Sequence, residues 1–176
     1  MIRPLSPAFR RSREGVSAVE FALLAPLLVL LLFGCFTLFL LFRDGYRAET
    51  ATFTVADVVS RQSTVSSDFL NTTYAMFLRM LPDTQKGVAF RVSSLKMTGK
   101  ALHVDWSYPI APMTALTDAT IPASGLPLVA DGDSIVVVET SVGYQPATDM
   151  LGFASGRYSY LAANRPRFTA AIKKSD

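Results

Sequence analysis

From Phe21 to Phe42 the chain reads FALLAPLLVLLLFGCFTLFLLF, 22 residues without a charge. As a helix rising about 1.5 Å per residue, such a run covers about 33 Å, enough for the hydrocarbon core of a bilayer. A segment of this length and composition has few other destinations. The overall composition, 50% hydrophobic with a mean hydropathy of +0.31, is too apolar for an ordinary soluble protein, and the excess sits in this run. The residues outside it amount to one ordinary domain.

Charge orients the segment. Arg3, Arg10, Arg11 and Arg13 against Glu14 leave three net positive charges in the first fifteen residues, which is the whole surplus of the chain; the other thirteen basic and thirteen acidic residues cancel. Arg43, Asp44, Arg47 and Glu49 balance on the far side. The positive-inside rule then predicts a cytoplasmic N-terminus and places residues 43–176 outside the cytoplasm. A neutral body offers no electrostatic footprint for phosphates, so no nucleic-acid partner is expected despite the pI near 9.2.

An apolar run behind a basic leader can be a cleaved secretory signal, a lipoprotein signal or a retained anchor. The run is too long for the first, and Leu40, Leu41, Phe42 and Arg43 offer no small-residue cleavage site. Leu32, Phe33, Gly34 and Cys35 resemble a lipobox, with Cys35 as the residue to be acylated, but the mostly apolar Phe36 to Phe42 stand where a polar tether belongs. Cys35 is the single cysteine, so no intrachain disulfide can hold the outer domain; in the simpler reading it is a small apolar residue.

The junction Arg13, Glu14, Gly15, Val16, Ser17, Ala18, Val19, Glu20, Phe21 supports the third reading. A glycine ends a short charged leader, and the fifth residue after it is a lone glutamate at the threshold of the apolar helix. With the AL, proline and leucine-rich run that follow, this resembles the class III signal of type IV pilins and, more closely, the TadE-like pseudopilins of tight-adherence (Flp-type) pilus systems. The match is close over about residues 11–45. The resemblance implies cleavage between Gly15 and Val16 by a prepilin peptidase on the cytoplasmic side. It also implies an assembly role for Glu20 with Phe21, in which the carboxylate pairs with the freed amine of Val16 on a neighbouring subunit. Flp-type pilins usually carry tyrosine after the glutamate, so Phe21 departs from that pattern while fitting the looser TadE-like one. The partners implied are the peptidase, other pilins and pseudopilins through the apolar helix, the inner-membrane assembly machinery and membrane lipid. The location implied is the bacterial inner membrane, single-pass, with a periplasmic C-terminal domain, incorporation into a surface pilus and a part in surface adhesion.

Residue chemistry agrees that the helix has work to do. A carboxylate at mid-membrane costs about 2.5 to 3.5 kcal/mol, less near the interface, and such residues tend to be paired or functional. Pro26 lacks the N–H that would bond the Ala22 carbonyl, which predicts a kink tolerated where neighbouring helices cover the freed group. Gly34 with Cys35 offers a small notch for a neighbour.

The expected layout is α+β: leader 1–15, transmembrane helix 16–42, and an outer domain 43–176. In that domain the helix continues as a stalk to about Arg61, with Tyr46, Phe53 and Ala56 on one side and a weak point at Gly45. A second helix follows over Ser67–Leu81, capped by Ser66 or Ser67, with Leu70, Phe77, Leu78 and Leu81 inward. From Gly87 the periodicity becomes two. Val88, Phe90 and Val92, then Leu102, Val104, Trp106 and Tyr108, predict a hairpin with one apolar face turned at Thr98, Gly99 and Lys100. Residues 109–132 form a long Pro-rich connection, Ile135–Tyr144 a central strand, the surroundings of Gly152 and Gly156 a loop, and Arg167–Ile172 a last strand with Phe168, Ala170 and Ile172 inward. The sheet is thus antiparallel with three or four strands.

Catalytic equipment is sparse. His103, the single histidine, falls on the polar side of its strand, and no HExxH, CxxC or phosphate-loop pattern occurs. Asp131 and Asp133 around Gly132 supply too few oxygens for calcium and read as a turn. The chain is therefore expected to be neither an enzyme nor a cofactor protein. An anchored binding module that never polymerises is the competing reading.

Overall fold

The computed structural model describes residues 14–82, 86–148 and 152–176, without the side chains of Glu14 and Lys86. Of the leader 1–15, residues 1–13 lie outside the described residues. One helix, α1 (Glu14–Ser60), contains the apolar run and continues without a break to the outer domain. It passes through Pro26 and Gly45. A two-residue strand β1 (Thr64–Val65) and helix α2 (Ser67–Met80) follow. The Ser66 hydroxyl accepts from the Phe69 N–H at 3.2 Å and caps α2, and Leu81, just before Pro82, ends it.

The sheet is antiparallel, in the order β3-β2-β4-β5, built from β2 (Lys86–Thr98), β3 (Ala101–Ile110), β4 (Ser134–Tyr144) and β5 (Gly156–Asn164). The chain closes with β6 (Lys173–Lys174), parallel to β1. The architecture is α+β, as expected, with β4 inside the sheet. Helices cover one face, where Phe90, Val92, Val136, Val138, Val142 and Ala162 meet Ala51, Val55, Val59, Leu70 and Phe77. The connection 111–133 covers the other, laying Leu116, Ile121 and Val129 on Leu95, Ile135 and Val137. β4 is apolar on both sides at its start because it is the middle layer of three.

Four expectations are corrected. The outer half of α1 continues outward as expected and Ala56 is buried, but its buried face is not the aromatic one: Tyr46 is 70% and Phe53 49% exposed, whereas Ala48, Ala51, Thr52, Val55, Ala56 and Val59 are fully buried. Small side chains let the sheet come close, and bulky rings would hold it away. Around α2, Leu70, Phe77 and Leu81 are buried as expected and Thr73 joins them, but Leu78 is turned out. The apolar face of the hairpin is split. The register shifts between Ser94 and Leu95, where Ser94 faces Trp106 and Leu95 faces Val104, so Asp105 is an extra residue. The bulge reverses the alternation, and Leu102 and Val104 face the connection while Trp106 and Tyr108 face the helices.

The last correction concerns the C-terminal strand. The partner of β4 is β5, in the segment read as a loop, with Val138 opposite Ala162 and Thr140 opposite Tyr160. Its inward residues, Tyr158, Tyr160 and Ala162, are half polar or small, which hid the alternation. Residues 167–171 are bends, and Phe168 is 75% exposed. Ile172 is buried as expected, and its carbonyl accepts from the Trp106 indole at 2.7 Å. The segment crosses the end of α1, where the Arg167 N–H reaches the Ser60 carbonyl at 2.9 Å and its guanidinium the Asp57 carboxylate at 2.6 Å. Hydrogen bonding from Arg61, and then the charge of Arg167, holds the Asp57 carboxyl below the usual range.

Candidate functional site

Two regions of α1 carry the candidate residues, and they differ in environment. At the N-terminal end Gly15, Val16, Glu20, Phe21 and Pro26 are all exposed, and a Cβ added at Gly15 would have nothing within 4 Å. No other element approaches this stretch among the described residues. Val16 and Glu20 are four apart and share a helix face. Between Val19 and Phe36 the side chains Leu23, Leu27, Leu31, Leu32 and Phe33 are exposed too. A helix apolar all round needs an apolar solvent or apolar neighbours. Cys35 is exposed on this stretch.

From Thr37 outward the environment changes. Thr37 is buried, its hydroxyl donating to the Phe33 carbonyl at 2.8 Å. Gly45 lies beneath two tyrosines: a Cβ there would stand 3.2 Å from the Tyr160 hydroxyl oxygen and 3.3 Å from Tyr158 Cε1. The Tyr158 hydroxyl donates to the Leu41 carbonyl at 2.8 Å. Burial, then the neighbouring Tyr144, pushes the Tyr158 phenol up to about 12, so it remains a donor at neutral pH. Tyr144 stacks on Tyr158 with centroids 4.3 Å apart. Further out, the buried Thr52 hydroxyl bonds the Ala48 carbonyl at 2.8 Å and the Thr140 hydroxyl at 2.7 Å. Gly45, Ala48 and Thr52 thus form the seam between α1 and the sheet. Gly45→Leu is expected to overpack it, lowering stability by about 1 to 3 kcal/mol, read as an earlier thermal unfolding midpoint in detergent.

Sequence reasoning missed the tyrosine cluster. Its signal was present as the alternation of Tyr158, Tyr160 and Ala162 with Arg157, Ser159 and Leu161. The residues weighed for chemistry hold the fold together. His103 Nδ1 lies 2.8 Å from Asp118, whose other oxygen accepts the Val104 N–H at 2.7 Å, so the pair fastens a short 3₁₀ turn (Asp118–Thr120) to the edge strand. Asp131 accepts from the Gly99 N–H at 2.7 Å and steadies the hairpin turn, and Asp133 faces Arg165 at 3.5 Å. Among the described residues no group of three or more His, Cys, Asp or Glu could hold a metal ion.

Among the described residues one helix is long and apolar enough to cross a membrane, and with a small α+β domain carried on its second half it fits a single-pass membrane protein. A family model described as TadE-like protein matches residues 15–57, and the resemblance read from the junction and the apolar run is thereby shown over the helix. The match starts at Gly15 and runs past the seam to residue 57, and it suggests a part in tight-adherence pilus assembly. Comparison with curated proteins and with solved structures gave no match.

Proposed function

We propose that this chain is a pseudopilin of a tight-adherence pilus, anchored in the inner membrane with its domain in the periplasm, cut after Gly15 and joined to other subunits through its helix. The observation that carries the reading is the coincidence at Gly15: the TadE-like segment begins there, and the large apolar side chains of α1 from that point to Phe36 are exposed. Glycine is about 1 kcal/mol poorer than alanine within a helix, so the first turn opens readily for a peptidase. After cleavage the amine of Val16 and the carboxylate of Glu20 are the charges on the free helix end. An amine on one subunit and a carboxylate on the next fix their axial offset, and Phe21 and the leucines supply the contact around them. A bend at Pro26 would fall where neighbours can cover the Ala22 carbonyl. The domain is not an enzyme on this reading; it is cargo or a capping surface carried by the helix.

Oxidative crosslinking through Cys35 in cells expressing the cognate pilus genes tests this. Adducts with copies of the chain or other pilins are expected, and Glu20→Ala is expected to be cut normally yet lose most of the adduct. A chain that never crosslinks, with cysteines scanned along Leu31–Thr37, would instead be an anchored binding module.

A further inference from the structure

We propose that the end of the sheet bearing Tyr144 and Tyr158 is seated in the interfacial layer of the bilayer, making phospholipid a direct ligand of the domain. The helix provides the ruler. The apolar run ends at Phe42, yet the domain begins to cover α1 at Thr37, and Ala147 and Thr148, just beyond β4, border a groove of about 340 Å³ with Val29, Leu30, Phe33, Phe36 and Thr37. At about 1.5 Å per residue, Thr37 and Phe33 lie about 8 and 14 Å inside Phe42. Bilayer and domain therefore claim the same stretch of helix.

Neither claimant can yield entirely. Withdrawing residues 33–42 from lipid would leave Phe39 and Phe42 in water on the uncovered side of the helix. It would also draw Glu20 deep into hydrocarbon, where a carboxylate is costly. Immersing the domain would put the irregular backbone at 145–148 where water cannot satisfy it. The headgroup layer resolves both, since it adds about 5 to 7 Å on each side of the hydrocarbon and accepts amphipathic surfaces to a depth of about 5 to 10 Å. Its preferred residues are present. Tyr144 and Tyr158 supply apolar rings with polar tips, and Arg157, one before Tyr158, brings positive charge to the same level, where Arg43, one residue past the run, is paired with Asp44 at 2.8 Å. A second groove of about 600 Å³ runs between helix and sheet there, lined by Leu38, Leu41, Phe42, Tyr144 and Tyr158 toward the membrane and by Glu49 at its outer end. Its apolar wall is continuous with the membrane-spanning surface, so an acyl chain with its headgroup against the tyrosines fits it. From Gln145 to Gly156 the one charged residue in the sequence is Asp149, outside the described residues.

Spin-label depth measurements on the full chain in phosphatidylethanolamine and phosphatidylglycerol vesicles test the proposal without pilus machinery, so they stand apart from the assembly reading. In a Cys35→Ser background, single cysteines replace Phe39 on the bare helix face, the exposed Ala147, and Leu128 on the connection. Collisions with oxygen relative to a water-soluble nickel chelate are expected to be several-fold higher at Ala147 and Phe39 than at Leu128. A label at exposed Gln145 repeats the reading should the first variant be damaged. Labels at Ala147 and Gln145 that match Leu128 overturn the proposal, whatever Phe39 reports.

Discussion

Phe90→Ala should destabilise the domain by about 3 to 5 kcal/mol, whereas Phe53→Ala should change its stability by no more than about 0.5 kcal/mol. Phe90 is fully buried in the layer between sheet and helices, 5.3 Å from the ring of Tyr74 and 5.5 Å from that of Phe77. Removing its ring leaves a cavity that three packed elements cannot close, a large loss beside the 5 to 15 kcal/mol typical of a whole fold. Phe53 lies on α1 within the outer domain but on its uncovered side. Urea unfolding in detergent, followed by the fluorescence of Trp106, measures both. Equal losses would mean that the sheet docks on the aromatic face of α1 and that the small-residue seam is wrong.

The second large effect is on processing. If the chain is cut after Gly15 as proposed, Gly15→Ile should leave the leader attached to nearly every molecule, since a β-branched side chain would replace the glycine that ends the signal. Nothing among the described residues packs against this glycine, so the substitution would remove the proposed cleavage signal without disturbing the domain. The uncut protein should still insert in the membrane and show the unfolding midpoint of the parent. Immunoblotting of membrane fractions separates the two forms by the mass of the leader. A shortened Gly15→Ile chain would move the cleavage point elsewhere.

The membrane helix, helix α2, the antiparallel sheet and the inner place of β4 were legible because each is written in a strong pattern: an uncharged run, a capping serine ahead of helical spacing, or an apolar stretch bounded by turns. What was not legible depended on contacts between elements. The face of α1 that meets the sheet is made of Gly45, Ala48, Ala51 and Thr52, residues too small to announce a core, and Tyr46 and Phe53 drew attention by size alone. Periodicity could not show the bulge at Asp105, because Leu102, Val104, Trp106 and Tyr108 alternate perfectly in sequence and only the pairing with β2 divides them. β5 was concealed by serine, alanine and tyrosine on a strand that needs little apolar bulk beside the slender seam. The candidate residues at Gly15, Val16, Glu20, Phe21 and Pro26 were read entirely from order and spacing, and the fold leaves all of them on the uncovered part of α1, where a neighbour or a peptidase can reach them.

The mature N-terminus tests the central claim most directly. Intact-mass measurement of the chain purified from membranes that contain the cognate prepilin peptidase should find a protein beginning at Val16, with residues 1–15 removed. A chain still beginning at Met1 under those conditions would contradict the account, and the apolar helix would then be an anchor only.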